Sequence, residues 1–374
     1  MSGAPAPRIF VSAGEPSGDL HGAAVVRALR SRYPDAAIEG VGGPLMAEAG
    51  ASIRYPMERL SAMGFVEIVG RIPAHLRLLR RLRAEFKAGR HDLAVLIDYP
   101  GFHLRLAEAV RATGCPVLYY IAPQLWAWHP GRARRLAAGV DRLAVILPFE
   151  REFFGRLGIP TEFVGHPLID RTGPPSRPEA RGRLGIAAGE RVLGIFPGSR
   201  SQEVRFHWPL FRGIARRMLE EGCCTRAIVA GTARDDYPDP GPIEIVREEP
   251  VPIFSAADAL LAKSGTTTLE AALAGTPMVV AYLSNRWTYL IARGLMTVHW
   301  ISLVNLVAER EVVPEFWRRP VRAAAIAAAL RPLLDGSSPE AAAQRAGLAE
   351  VRQRLGPPGA ADRVAALAGE LLAR

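Results

Sequence analysis

The sequence predicts an α/β fold of two domains, each a parallel sheet covered by helices on both faces, with a cleft between them. Three observations lead there. Short, unbroken apolar runs alternate with helical stretches, as strands buried on both faces require. A proline-rich break at 171–178 divides the chain, and a second strand–helix series follows it. The chain has 374 residues, too many for one ordinary core and enough for two.

The first series opens with an apolar run of strand length at 8–13. A helix is expected at 19–30 and a second strand at 38–43. Runs at 93–98, 117–121, 143–147 and 163–165 continue the sheet. Beyond the break, strands are expected at 192–196, 227–230, 243–246, 259–262 and 278–282. Three helical stretches close the chain. One opens with Ser338 as N-cap, Pro339 at the first helical position and Glu340 in the first turn. The expected divisions are 1–170, 171–345 and a C-terminal helical segment, 346–374.

Hydrophobic residues make up 49% of the chain, which excludes a disordered protein. Cys115, Cys223 and Cys224 are too few for a disulfide framework, and no Cys/His spacing suits a metal, so a reducing cytoplasm fits. The N-terminus lacks the apolar core of a signal peptide, and no run reaches the roughly 18 apolar residues of a membrane span. A soluble or peripheral protein is expected. Net charge is +10, from 47 basic and 37 acidic residues, which points to an anionic partner. An Ala- and Arg-rich chain from a GC-rich genome has the same bias, so the charge alone names no partner. No helix-turn-helix, RRM, KH or zinc pattern occurs, and no nucleic acid is expected.

Two turns in the second half carry the most chemical information. Residues 193–200 read LGIFPGSR and residues 263–270 read KSGTTTLE. Each is an apolar strand entering a small, Gly-containing turn and then a helix. Backbone N–H groups converge at such turns, and the helix dipole adds positive potential. Gly198, Ser199, Ser264, Gly265 and Thr266 together suit a diphosphate. Arg200 adds a bidentate positive charge, and Glu270, one turn into its helix, suits the hydroxyls of a ribose. Neither turn has the G-x-x-x-x-G-K-[ST] pattern of a P-loop. No Asp-x-Asp pair ends a strand in this half, so no metal is expected, and the chain is read as needing no other cofactor.

In open α/β sheets ligands bind at the carboxyl ends of the strands. The first strand ends in AGEPSGDLHG, which places Glu15, Ser17, Asp19 and His21 at that edge. Asp19 is expected to cap its own helix; Glu15 lies in the turn and fits capping less well. The strand at 93–98 ends in Asp98, beside a sharp Pro-Gly turn, where a carboxylate can reach a substrate proton. A third edge segment, 121–129, offers Gln124 and His129 as groups that fix a sugar, with Trp126 and Trp128 between them.

Residues 71–86 have the pattern of a basic amphipathic helix. Ile72, Leu76, Leu79 and Phe86 fall on one side, flanked by Arg77, Arg80, Arg81 and Arg83. Such a helix packs on a core or lies on an anionic membrane. Trp287, Tyr289, Leu290, Ile291, Leu295, Met296, Trp300 and Trp317 lie among arginines in a second region of this kind, which also reads as a buried helix pair.

Taken together, these motifs resemble those of bacterial lipid-A-disaccharide synthases over nearly the whole chain. The matching stretches are SAGE through DLHG at 12–22, GVGGP at 40–44, MGFVE at 63–67, Ile97-Asp98, 122–128, FVGHP at 163–167, PGSR at 197–200 with Glu203-Val204, SGT at 264–266 with Leu269-Glu270, and PMVV at 277–280. The resemblance implies two Rossmann-like domains of the GT-B type. It implies an inverting, metal-independent transfer from UDP-2,3-diacylglucosamine to 2,3-diacylglucosamine 1-phosphate, on the cytoplasmic face of the inner membrane. Glu15, Asp98, Arg200 and Asn305 align with functional positions of the family. Gly101 and His103 depart from it, since Asp and Asn are expected there. A homodimer with exchanged C-terminal segments is also implied, the alternative being that these helices pack back on the first domain. The competing reading is another UDP-sugar enzyme of this fold, such as a UDP-N-acetylglucosamine 2-epimerase, which needs no membrane face.

Overall fold

Two parallel sheets organise the chain. The computed structural model describes residues 6–59, 65–126, 133–171, 173–232, 235–247, 250–284 and 298–374. The first sheet holds β1 (Arg8–Ala13), β2 (Ala37–Gly42), β3 (Ser52–Pro56), β4 (Leu93–Ile97), β5 (Val117–Tyr120), β6 (Arg142–Val145) and β7 (Thr161–Phe163). Its order is β3-β2-β1-β4-β5-β6-β7. The second holds β8 (Val192–Phe196), β9 (Arg226–Ala230), β10 (Glu244–Val246), β11 (Ala259–Lys263), β12 (Met278–Ala281) and β13 (Glu315–Phe316), in the order β10-β9-β8-β11-β12-β13. Each sheet reverses its winding once, between β1 and β4 and between β8 and β11. Those are the switch points where α/β sheets open a ligand crevice.

The central strands are the unbroken apolar runs: all five residues of β4 and of β8 are buried. β3 and β13 have no such run, which is why the sequence does not announce them. β3 is a half-buried edge strand containing Arg54, and β13 has two residues.

The chain divides into two units, Met1–Asp170 with Gly356–Arg374, and Arg171–Leu355. The helix Pro339–Arg354 therefore belongs wholly to the second unit, and the break expected at 346 falls inside it. Ser338 caps that helix, its Oγ accepting the Ala341 N–H at 3.1 Å. The last helix, Ala360–Leu372, packs in the first unit. Its Val364, Ala365, Ala368 and Leu371 share a core with Ile9 and Val11 of β1 and Val95 and Ile97 of β4. Burying each large apolar side chain contributes about 1.5–3 kcal/mol. Asp170 holds the start of this helix, accepting the Gly359 and Ala360 N–H groups at 2.5 and 3.0 Å.

The helix at Phe65–Lys87 departs in part from its expected pattern. Phe86 is 2% exposed and Leu82 fully buried, so the C-terminal half packs inward, while Leu76 faces solvent. Arg81 is engaged, 3.6 Å from Glu85 and 5.4 Å over the Tyr55 ring. The side chain of Ile72 lies outside the described residues, as do Met63, Gly64, Trp287, Tyr289, Leu290, Ile291, Leu295 and Met296. Among the described residues no helix is long and apolar enough to cross a membrane.

Candidate active site

In the first unit, Glu15 follows β1 and Asp98 follows β4, the two strands at the switch point. They are neighbours in register, Ala13 opposite Ile97. Glu15 is exposed and stands as the extended N-cap of α1 (Pro16–Arg32), with Ser17 exposed in its first turn. Asp98 and Tyr99 are both left-handed, with φ of 47° and 51°. That conformation costs roughly 1–2 kcal/mol per residue that has a Cβ, so surrounding bonds must hold it.

Those bonds are on the backbone. The Asp98 N–H donates to the Tyr120 carbonyl at 2.9 Å. The Asp98 carbonyl accepts from His103 Nδ1 at 2.7 Å and from the Tyr119 hydroxyl at 2.6 Å. The Tyr99 ring lies over Gly14, where a Cβ would come within 2.3 Å of it, so only glycine fits there. The Tyr99 hydroxyl meets His75 Nε2 at 2.9 Å. The Asp98 carboxyl is pushed up to about 6, by burial first and the negative charge of Glu15 second. A carboxylate poised there is ionised at neutral pH and still basic enough to take a proton.

Three other edge residues have structural work. Asp19 is buried and caps α2 (Pro44–Glu48) rather than its own helix: its carboxylate accepts the N–H groups of Gly43, Leu45 and Met46 at 2.8, 3.0 and 3.2 Å. Trp126 is a core residue whose indole N–H donates to buried Glu150 at 2.9 Å. Burial pushes the Glu150 carboxyl up to about 7. His166 is buried, its Nδ1 accepting the Leu168 N–H at 3.2 Å. Gln124 is exposed at the edge; His129 lies outside the described residues.

In the second unit, the turns after β8 and β11 flank the other switch point. Gly198 has φ 135°, and a Cβ there would meet Glu203 at 2.5 Å. The space over this glycine is thus taken by the chain's own carboxylate. Glu203 accepts the Ser199 N–H at 3.1 Å and Lys263 Nζ at 2.8 Å, with Arg200 4.0 Å away. Burial opposes its charge, but Lys263, Ser199 and Arg200 outweigh that and hold its carboxyl below the usual range. An anion already sits where amides and cations converge. Arg200 has 79% of its side chain exposed.

Across the switch point, Gly265 has φ 156° and Thr266 precedes the helix Thr267–Ala274. Glu270 lies in its first turn, 3.6 Å from Arg171, and burial raises its carboxyl despite that cation. The Ser264 hydroxyl donates to the Ile301 carbonyl at 2.6 Å.

Asn305 was expected among the catalytic groups, and here the structure differs. It is fully buried. Its Nδ2 donates to the Val313 carbonyl and Glu315 Oε1, both at 2.8 Å, and its Oδ1 accepts the Val312 and Val313 N–H groups at 2.7 and 2.9 Å. Two donors and two lone pairs are all the side chain has, so nothing is left for a substrate. Its reach is indirect. Glu315 accepts the Ile301 and Ser302 N–H groups at 2.8 and 2.9 Å, and Ile301 receives Ser264.

Lys263, Glu203, Glu315 and Arg171 also belong to this region; in the sequence Lys263 stands out as a charge ending an otherwise apolar strand, and Glu203 as part of a matching motif. Among the described residues no group of three or more His, Cys, Asp or Glu is placed to hold a metal.

The family model described as lipid-A-disaccharide synthetase matches residues 9–358. Lipid-A-disaccharide synthase of Geobacter sulfurreducens is 38% identical over 376 residues, covering 98% of each chain. That of Myxococcus xanthus is 38% identical with the same coverage. Solved structures share the fold at low identity. The UDP-GlcNAc 2-epimerase from Neisseria meningitidis bound to UDP-GlcNAc has a TM-score of 0.62 at 10% identity, covering 98% of this chain and 99% of that one. The calicheamicin glycosyltransferase has a TM-score of 0.58 at 18% identity, covering 99% of each. The chain is a glycosyltransferase of the GT-B fold, and it belongs to the lipid-A-disaccharide synthetase family.

Proposed function

We propose that the protein transfers the sugar of UDP-2,3-diacylglucosamine to 2,3-diacylglucosamine 1-phosphate with inversion. The products are UDP and the β(1′→6) disaccharide 1-phosphate, the precursor of lipid A. One observation supports it above the others. The first sheet presents a carboxyl poised at about 6 at its switch point, and the second gathers an amide, an arginine and a lysine around Glu203 at its own.

In this reading the acceptor's 6-hydroxyl attacks C1 of the donor sugar. Asp98 takes its proton as the C1–O bond to UDP breaks on the opposite face. Burial, with the like charge of Glu15 second, keeps Asp98 basic, and Glu15 orients the acceptor, with Ser17, Gln124 and His129 on sugar hydroxyls. Arg200, Lys263 and the amides of Gly198, Ser199, Gly265 and Thr266 meet the charge that develops on UDP, a role in which fixed dipoles in a dry site are effective. Glu270 holds the ribose. No metal is assigned. The exposed arginines Arg77, Arg80 and Arg83, with exposed Leu76, suit the anionic cytoplasmic surface of the inner membrane. A homodimer is part of the same reading.

UDP release that requires both lipid substrates tests it. Epimerisation of UDP-N-acetylglucosamine without an acceptor would reject it; likeness to 2-epimerases is in fold alone.

A further inference from the structure

The turn that carries Asp98 is held from behind by groups that never meet the substrate. His103 lies in the helix Pro100–Arg111, fully buried. Its Nδ1 is 2.7 Å from the Asp98 carbonyl and its Nε2 2.8 Å from the Ser12 hydroxyl. A carbonyl can only accept, so the proton is on Nδ1 and Nε2 accepts from Ser12. Burial pushes the imidazole down to about 4, which keeps it neutral and in that tautomer. A neutral, solvent-free ring with both nitrogens engaged offers a substrate neither a proton nor a lone pair. What it has is geometry: it joins β1, through Ser12, to the main chain of the residue after β4.

We propose that His103 is a positioning residue for the transfer: bridging Ser12 and the Asp98 carbonyl, it fixes with Tyr119 the left-handed turn that presents the Asp98 carboxylate. This rests on Asp98 being the base. Without that bridge two consecutive residues at positive φ lose a main support, and the turn relaxes. The carboxylate then moves from the attacking hydroxyl and becomes better hydrated. A shift of about 1 Å in a reacting group costs on the order of a hundred-fold in rate. The departure from the family at 103 is thereby accounted for, since an Asn there also has an N–H able to reach a carbonyl.

The experiment compares His103→Leu, His103→Asn and Tyr119→Phe with wild type, and runs Asp98→Asn in parallel. Turnover is measured with both lipid substrates, UDP affinity by calorimetry, and kcat/KM against pH. His103→Leu is expected to lose about ten- to a hundred-fold in turnover, keep its UDP affinity, and move the acid limb of kcat/KM below pH 6. Tyr119→Phe should lose several-fold, and His103→Asn should recover most of the rate. The groups around Asp98 that bear on that limb are Glu15, Tyr99 with His75, His103 and Tyr119; only His103 and Tyr119 are changed. Wild-type turnover with an unmoved limb in His103→Leu overturns the proposal while Asp98→Asn is inactive. If His103→Leu does not fold, the same result in Tyr119→Phe and a slow His103→Asn overturn it. An active Asp98→Asn rejects the general-base reading instead.

Discussion

Lys263 Nζ donates to Glu203 Oε1 across 2.8 Å, joining the end of β11 to the first turn of the helix Ser201–Glu220 that follows β8. The bond stands at the second sheet's switch point, and Ser199 N–H shares the same carboxylate. In the proposed donor complex Lys263 faces the diphosphate. A hydrogen bond to a charged group contributes about 1.5–3 kcal/mol. Lys263→Met should therefore weaken UDP roughly ten- to a hundred-fold and leave uridine unaffected. Calorimetry with both ligands reads this directly; equal losses for UDP and uridine would mean that Lys263 only supports the fold.

Asp98→Asn keeps size and removes the base. Turnover should fall about a hundred-fold or more, with UDP affinity unchanged. The same change should stabilise the protein above neutrality. The Asp98 carboxyl is raised to about 6, so the folded state holds its proton more tightly than the unfolded chain. That contribution is full below the unfolded value near 4 and is lost as pH rises through about 6. Denaturation at pH 8 should show the variant more stable by about 3 kcal/mol, and the difference should vanish near pH 4. Equal stability at both pH values would place Asp98 in water.

Glu270 is 3.6 Å from Arg171 and partly buried. If it holds the ribose, Glu270→Ala weakens UDP roughly ten- to a hundred-fold. It should weaken uridine by a similar factor, the opposite of the pattern for Lys263. Unchanged affinity for both ligands removes Glu270 from the site.

Replacing Arg77, Arg80, Arg81 and Arg83 with Ser should cut sedimentation with anionic vesicles. Each charge near such a surface contributes roughly 1 kcal/mol. Arg81 is tied to Glu85 and Tyr55, so restoring it alone should recover little binding. Undiminished sedimentation of the quadruple variant would put membrane contact elsewhere.

The fold was legible where burial acts on both faces of a strand. β1, β4, β8 and β11 are apolar runs, and the turns that follow them hold Glu15, Asp98, Arg200 and Thr266. Two of the four edge strands, β3 and β13, were not, because neither needs such a run. At the site, residue type and spacing located the turns but not the partners. Asp19 spends its carboxylate on a second helix 24 residues away in sequence, Asn305 spends its amide inside the fold, and Glu203 fills the space over Gly198. These are long-range hydrogen-bond choices, which a local pattern does not encode. His103 shows the converse. Read against the family it was a departure, and its role follows only from where Ser12 and the Asp98 carbonyl lie.

The most direct measurement is the anomeric configuration of the product. Wild-type protein is incubated with UDP-2,3-diacylglucosamine and 2,3-diacylglucosamine 1-phosphate, and the new linkage is read by NMR while UDP is counted. A β(1′→6) linkage with one UDP per disaccharide is the predicted result, as single displacement with Asp98 as base requires. An α linkage, or UDP released without disaccharide, would contradict it.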